Sequence, residues 1–117
     1  MTEIEGTVIH GERIGRTLGF PTANIDAEGL QIGNGVYAST VELDGAVYRA
    51  MSNVGIRPSV DGKRRLLETY IFDFEGDLYG RTLTVELQQK IRDERKFSSV
   101  DELRERLHID AEHIRSL

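Results

Sequence analysis

The sequence contains no cysteine among its 117 residues. A disulfide framework, a thiolate zinc site and a cysteine nucleophile are therefore excluded for this chain. Its three histidines lack the clustered spacing of a zinc-binding motif, and we interpret them as surface or core-edge residues. They are His10, His108 and His113.

Long apolar runs are also absent. No stretch approaches the 18 apolar residues of a transmembrane helix, and the acidic residues 1–6 do not resemble a signal peptide, so the expected location is cytoplasmic. The formal net charge of −5 argues against a protein that holds nucleic acid through bulk positive charge. It leaves room for one bound nucleotide held by a local cation and a metal ion.

Neither the GxxxxGK[ST] motif of a P-loop nor an alternation of strands and helices occurs, which argues against P-loop and Rossmann domains. Short β-branched runs are followed by one helical segment instead. The predicted strands cover residues 7–10, 23–25, 36–43, 46–54, 66–74 and 82–89. Asp44-Gly45 predicts a two-residue hairpin, whereas the polar residues 55–65 predict a loop. This pattern favours a mainly β fold, a small closed barrel.

The predicted helix begins near Val100. Ser99 and Glu102 have the spacing of a capping box, in which each residue's side chain bonds the other's backbone. An apolar stripe at helical spacing predicts that the helix docks on the core and covers an open end or one face of the barrel. The stripe consists of Val100, Leu103, Leu107, Ala111 and Ile114.

The glycine-rich segment 15–24 combines flexible glycines with a proline, a hydroxyl and a carboxamide. If the chain is extended after Pro21, the side chains of Thr22 and Asn24 leave on the same face. Their oxygens are suitable ligands for a hard cation such as Mg²⁺, and Arg16 could meet a phosphate. The alternative is a loop in which Thr22 and Asn24 cap their own turn.

Glu68 is a carboxylate within an apolar predicted strand. Desolvation by apolar neighbours raises the pKa of a carboxyl group in general, which suits such a group to abstract a proton. The alternative is a glutamate at the barrel rim that pairs with Arg57, Arg64 or Arg65.

The charged connection 90–97 leads from the last predicted strand to the helix. One interpretation is a mobile loop that closes over a ligand, with Arg92 and Phe97 in contact with a flat ring. The alternative is a solvated loop in which Phe97 packs beside the helix start as a hydrophobic staple.

Seven motifs in order carry a family resemblance over residues 6–117. They are GxVxHG at 6–11, GRxLGFPTAN at 15–24, GVY at 35–37, NVGxRPS at 53–59, ExxIxDF at 68–74, DLYG at 77–80 and IRxExKF at 91–97. In these motifs the chain resembles the riboflavin kinases, which phosphorylate riboflavin with ATP to give FMN and ADP. The resemblance implies a six-stranded antiparallel Greek-key barrel with a C-terminal helix.

The resemblance also implies roles for particular residues. Glu68 matches the catalytic base that takes the proton of the ribityl 5′-hydroxyl. Thr22 and Asn24 match ligands of Mg²⁺ and phosphate, with Mn²⁺ or Zn²⁺ as alternative ions. Arg92 and Phe97 lie where the family closes over the flavin.

The loop 11–19 resembles the family's flap over the nucleotide phosphates. Within it, the expected phosphate-binding residues are Gly11, Gly15, Arg16 and Gly19.

The expected organisation is one domain, residues 1–117, and the implied partners are riboflavin or FMN and ATP or ADP, with neither nucleic acid nor membrane. Most bacterial members carry an N-terminal adenylyltransferase domain, to which nothing in this sequence is similar. Whether the chain is a free-standing kinase or a domain of a bifunctional enzyme stays open. The alternative function is a small barrel that binds flavin or oligonucleotides without catalysis.

Overall fold

The computed structural model describes residues 2–9, 22–59, 62–74, 76 and 78–117. Within these ranges the chain forms six β-strands and one helix. They are β1 (Thr2–Thr7), β2 (Thr22–Asp26), β3 (Gly35–Leu43), β4 (Ala46–Ser59), β5 (Gly62–Ile71), β6 (Thr82–Arg92) and α1 (Val100–Arg115). No helix in the described part of the chain is long and apolar enough to cross a membrane.

The strands form one antiparallel sheet in the order β1-β6-β3-β4-β5-β2. Strands β3, β4 and β5 follow one another as hairpin neighbours and β6 returns beside β3, which is a Greek key. The sheet curls so that its two edge strands approach each other, and just after β1 the Ile9 amide donates to the Asn24 carbonyl oxygen of β2 at 2.7 Å. A Cβ on Gly6 would lie 2.5 Å from Ile25 Cγ2, so this approach requires glycine. The mainly β, Greek-key barrel prediction is confirmed.

The Asp44-Gly45 hairpin is confirmed. Both residues have positive φ, 52° and 82°, as a type I′ turn requires, and this turn matches the twist of the flanking strands. It joins β3 to β4 with Leu43 opposite Ala46.

Several predicted strand boundaries are wrong, including the end of β6, which lies at Arg92 rather than at 89. The first strand is Thr2–Thr7 rather than 7–10, because β1 pairs residue for residue with β6. The expected loop 55–65 is largely a β-ribbon: β4 continues to Ser59 and β5 begins at Gly62, since strand pairing outweighs a polar local composition. β5 ends at Ile71 rather than at 74, because Asp73 has a left-handed φ of 57° that interrupts the strand.

The barrel interior and its outer face hold separate apolar clusters. The interior cluster includes the fully buried Val41, Leu67 and Val85. The outer cluster joins side chains of β3, β4 and β5 to the inner face of α1. Its members are Val36, Ala38, Met51, Tyr70, Phe72, Leu107, Ala111 and Ile114. The helix therefore covers one outer face of the barrel.

Both ends of α1 are capped by side chains. At the start, Ser99 Oγ accepts from the Glu102 amide at 3.1 Å, while the Glu102 carboxylate accepts from Ser98 Oγ at 2.7 Å. At the end, the Arg49 guanidinium donates to the carbonyls of Ile114 and Arg115. The predicted stripe holds from Leu103 onward but is wrong for Val100, which is 55% exposed.

Candidate active site

A row of three polar side chains crosses the outer face of the sheet. Asn24 on β2 lies opposite Glu68 on β5, and Glu68 lies opposite Asn53 on β4. All three are buried, with 5%, 4% and 5% of their surface exposed, respectively. Directly opposed residues of neighbouring strands leave the sheet on the same face. The sheet register therefore assembles a buried polar site beside the apolar patch under α1.

Glu68 is paired with an arginine. Arg57 Nε donates to Glu68 Oε1 at 2.7 Å, and the same guanidinium faces Glu94 with Nη1 3.4 Å from Oε2 and Nη2 3.5 Å from Oε1. Burial by itself lowers the pKa of Arg57, but the charges and hydrogen bonds of Glu68 and Glu94 together raise it above its usual value. One permanently charged guanidinium thus links two carboxylates.

The pairing predicted by the alternative interpretation of Glu68 is therefore present, with Arg57 as the partner. Arg64 and Arg65 instead bond Asp26 and the segment 27–34. Glu68 is nevertheless buried and lines a cavity, so both interpretations of this carboxylate stay open.

Gly55 allows Glu94 to approach the sheet. A Cβ at Gly55 would lie 1.6 Å from Glu94 Oε2 and 2.6 Å from Arg57 Nη1. Any larger residue at this position would displace the Glu94 carboxylate or the guanidinium. The Glu94 side chain of the segment after β6 thus lies directly against the backbone of β4, in space that the missing side chain of Gly55 leaves open.

A cavity of about 740 Å³ opens between the sheet, the segment after β6 and the start of α1. This volume is in the range of small-molecule sites. Its lining residues are Asn34, Asn53, Ile56, Arg57, Glu68, Tyr70, Glu94, Arg95, Lys96, Phe97, Ser98, Ser99, Val100 and Leu103. Apolar and aromatic side chains share this lining with polar and charged ones, as in sites that hold a flat ring with a polar substituent.

The two residues expected at the flavin have different positions. Phe97 lines the cavity. Arg92 is anchored on the helix instead, with Nε 2.9 Å and Nη2 2.8 Å from Oδ2 of the buried Asp110. Its guanidinium carbon lies 5.7 Å from the centre of the Phe97 ring, and that of Arg95 lies 5.2 Å away. Arg92 therefore contacts Phe97, and Phe97 in turn lines the cavity.

The two residues expected at the metal lie on β2, the strand next to Glu68. Thr22 is half-buried opposite Tyr70, and Asn24 is opposite Glu68. Among the described residues, Asn24 Oδ1 and Asn53 Oδ1 are buried acceptors without a hydrogen-bond partner. An unsatisfied buried acceptor is costly and is rare in native structures. The Asn24 carboxamide is thus suited to an additional ligand such as a cation.

No cluster of three or more histidine and acidic side chains suited to a metal occurs in the part of the chain that is described. A hydroxyl and a carboxamide fit an ion that takes few protein ligands and keeps other oxygens, as Mg²⁺ does. Thr22 and Asn24 therefore fit the metal that the resemblance implies.

Gly11, Gly15, Arg16 and Gly19 lie outside the described residues, so their phosphate-binding roles stay predictions. Asn53 and Glu94 belong to the family motifs but received no role from the sequence. Asn53 joins the site through the strand register, and Glu94 joins it through its close approach to the backbone at Gly55. Neither feature can be read from the linear sequence.

Comparisons with known proteins give a consistent result. A family model described as riboflavin kinase (flavokinase) matches residues 1–117. The bifunctional riboflavin kinase/FMN adenylyltransferase of Pseudomonas fluorescens is 41% identical over an alignment of 117 residues, and the match covers 97% of this chain and 37% of that protein. The chain thus spans little more than a third of this relative.

Two solved structures share the fold. The crystal structure of a protein from Streptococcus pneumoniae named as macrolide-efflux protein superposes with a TM-score of 0.81 and 41% identity, covering 98% of this chain and 38% of that one. The riboflavin kinase of Trypanosoma brucei superposes with a TM-score of 0.64 and 24% identity, covering 97% of this chain and 77% of that one. The full-length family match and the relative of high identity lead to one conclusion: this chain belongs to the riboflavin kinase family.

Proposed function

We propose that this chain phosphorylates the ribityl 5′-hydroxyl of riboflavin with ATP and releases FMN and ADP. The observation that carries the proposal is Glu68, a buried carboxylate that lines the cavity and neighbours the unsatisfied Asn24 carboxamide across the strand pair. A base, a candidate metal ligand and a ligand-sized space thus lie together. Family membership supplies the identity of the two substrates.

In the proposed reaction, the 5′-hydroxyl oxygen attacks the γ-phosphorus of ATP. A bond forms between these two atoms, the bond from the γ-phosphorus to the β,γ-bridging oxygen breaks, and ADP leaves. The hydroxyl proton passes to the Glu68 carboxylate. Because phosphoryl transfer needs a positioned nucleophile, charge neutralisation and the exclusion of water, a buried base that lines a ligand-sized cavity suits this chemistry.

The proposed metal ligands are Thr22 Oγ1 and Asn24 Oδ1, and Mg²⁺ is the proposed ion, with Mn²⁺ or Zn²⁺ as alternatives. When bound, the ion neutralises charge on the phosphate oxygens. The unsatisfied Asn24 oxygen supports this assignment.

The proposed flavin site is the cavity beside Phe97, whose ring offers a face for an isoalloxazine. Arg92 contributes to this site by holding Phe97 from its anchor on Asp110. Gly11, Gly15, Arg16 and Gly19 are proposed to contact the nucleotide phosphates, a role that rests on the family motif.

The test is a coupled assay of ADP release, with product identified by chromatography. We expect ADP release that requires riboflavin, ATP and a divalent cation together, with FMN formed in equal amount. Riboflavin binding without any turnover of ATP would favour the alternative, a flavin-binding barrel without catalysis.

Replacement of the proposed metal ligands tests their role. Asn24→Ala and Thr22→Ala are each expected to weaken MgATP binding and to lower activity by at least about 10–100-fold, the range for losing even an outer support of a metal site. Thr22→Ser keeps the hydroxyl and is expected to be milder. The measurement is a MgATP titration followed by initial rates, with unfolding curves to show that the fold persists.

Asp26→Asn is the matched control, since Asp26 shares the Asn24 face of β2 but forms an exposed ion pair with Arg64. We expect it to change the KM for MgATP less than twofold. MgATP titrations of both alanine variants that coincide with the parent curve would refute the assignment of Thr22 and Asn24.

A further inference from the structure

Arg57 lies between carboxylates from two different elements. Glu68 belongs to β5, whereas Glu94 belongs to the segment that leads from β6 to α1. The distances are 2.7 Å from Arg57 Nε to Glu68 Oε1 and 3.4 Å from Arg57 Nη1 to Glu94 Oε2. Arg57 therefore connects the sheet to the segment through both carboxylates.

All three members of this link face the ligand space. Arg57, Glu68 and Glu94 line the same cavity as Phe97, which follows Glu94 by three residues. A bound ring beside Phe97 and a hydroxyl beside Glu68 would thus contact the two ends of one connected unit. The middle of that unit, where Arg57 meets Glu94, lies against β4 at Gly55.

The negative charges of Glu68 and Glu94 explain why an arginine is needed between them. Side-chain exposures of 21% for Arg57, 6% for Glu68 and 27% for Glu94 mean that solvent screens this group only partly. Without the guanidinium, two carboxylates would face the same partly buried space and repel each other. Glu94 is on the segment that lacks strand or helix hydrogen bonds, so Glu94 is the group that would move.

We propose that Arg57 is a positioning residue that holds Glu68 in place for catalysis and, through Glu94, sets the position of Phe97 at the flavin. The inference rests on the proposed function. It makes the efficiency of the base and the affinity for flavin depend on one side chain.

The test compares Arg57→Gln, Glu94→Gln and the double variant. Arg57→Gln is expected to lower kcat by about tenfold or more and to raise the KM for riboflavin by about tenfold, since hydrogen bonds to charged groups are worth that much. Glu94→Gln is expected to raise the KM for riboflavin about as much but to lower kcat less than threefold. The double variant is expected to lose no more than Arg57→Gln alone, because both changes break the same link, and to lose less to the extent that repulsion between the two carboxylates contributes.

Two further variants sharpen the comparison. Arg57→Lys keeps a positive charge and is expected to recover part of both effects, although it cannot bridge two carboxylates in the same geometry. Arg64→Gln is the matched control: Arg64 is the cross-strand partner of Arg57 but forms an exposed ion pair with Asp26. We expect its kinetic constants to stay within twofold of the parent.

Riboflavin fluorescence titrations without ATP provide a readout that does not depend on turnover. Weaker binding in both single variants without further loss in the double variant supports the link. Additive losses would overturn it, and so would a rise in the KM for MgATP specific to Arg57→Gln, since Arg57 would then contact nucleotide directly.

Failure of the proposed role of Arg57 can be distinguished from failure of the proposed function. A parent chain that phosphorylates riboflavin while its variants behave additively refutes only the role of Arg57. A parent chain that binds riboflavin without releasing ADP refutes the proposed function, while the binding titrations still decide whether Arg57 and Glu94 are coupled. A parent chain that does neither refutes both.

Discussion

Glu68→Gln is expected to lower kcat by about 10²–10⁴-fold, the usual cost of losing a general base. Glutamine preserves the shape and an acceptor oxygen, so Arg57 can still donate its hydrogen bond, but the amide does not take up a proton at neutral pH. Riboflavin binding is expected to persist because the cavity keeps its lining. The measurements are initial rates of ADP release and a fluorescence titration of riboflavin with the same preparation.

The matched control for Glu68→Gln is Glu42→Gln, an exposed glutamate on β3 that is remote from the cavity lining. It loses the same charge from a strand and is expected to leave kcat within twofold of the parent. A kcat near the parent value in Glu68→Gln would mean that Glu68 serves only as the partner of Arg57. The alternative interpretation of this glutamate would then be correct.

Local patterns in the sequence were sufficient for much of the fold. The Asp44-Gly45 turn needs two residues that tolerate positive φ, and the chain has them there. The helix follows from a capping serine and an apolar stripe whose middle and end are buried against the sheet. Such features depend on neighbours a few residues away, which a linear sequence displays directly.

The β-ribbon formed by residues 55–59 and 62–65 shows where local patterns fail. Its polar composition predicts a loop, yet Ile56 and Arg57 pair with Arg65 and Arg64. The ribbon is stabilised by backbone hydrogen bonds between two strands that the barrel brings together. The local amino-acid composition does not reveal these bonds. Because the sequence predicted a loop at Arg57, and a residue in a flexible loop has no fixed partner, the contact between Arg57 and Glu94 was not predicted.

The position of Arg92 in the site was also only partly predictable from the sequence. A cation in a charged connection beside Phe97 suggests a ligand contact, and the family resemblance points the same way. The identity of its nearest partner depends on how α1 docks, which brings Asp110 from the helix onto the end of β6. Sequence spacing identifies the neighbourhood of Arg92 correctly but does not reveal that its guanidinium faces the helix.

The ion pair between Arg92 and Asp110 is expected to dominate the docking of α1. Asp110 is 1% exposed and also faces Arg106 Nε at 3.3 Å, so Asp110→Ala would leave the mostly buried Arg92 without its counter-charge. Breaking a buried pair in this way costs about 3–5 kcal/mol. We expect Asp110→Ala to lower the free energy of unfolding by that amount in urea titrations. Asp101→Ala, which breaks an exposed pair with Arg104 on the same helix, is expected to cost less than about 0.5 kcal/mol.

A double variant separates the two roles of Arg92. Replacing both partners by apolar residues of similar size, Arg92→Met with Asp110→Leu, is expected to recover most of the lost stability, because neither charge is then buried alone. Riboflavin affinity measured on this variant decides how Arg92 contributes to the site. Affinity that returns with stability means that Arg92 acts by anchoring the helix and supporting Phe97. Affinity that stays low in a stable protein means that the guanidinium itself contacts the flavin, and the anchoring account would then be wrong.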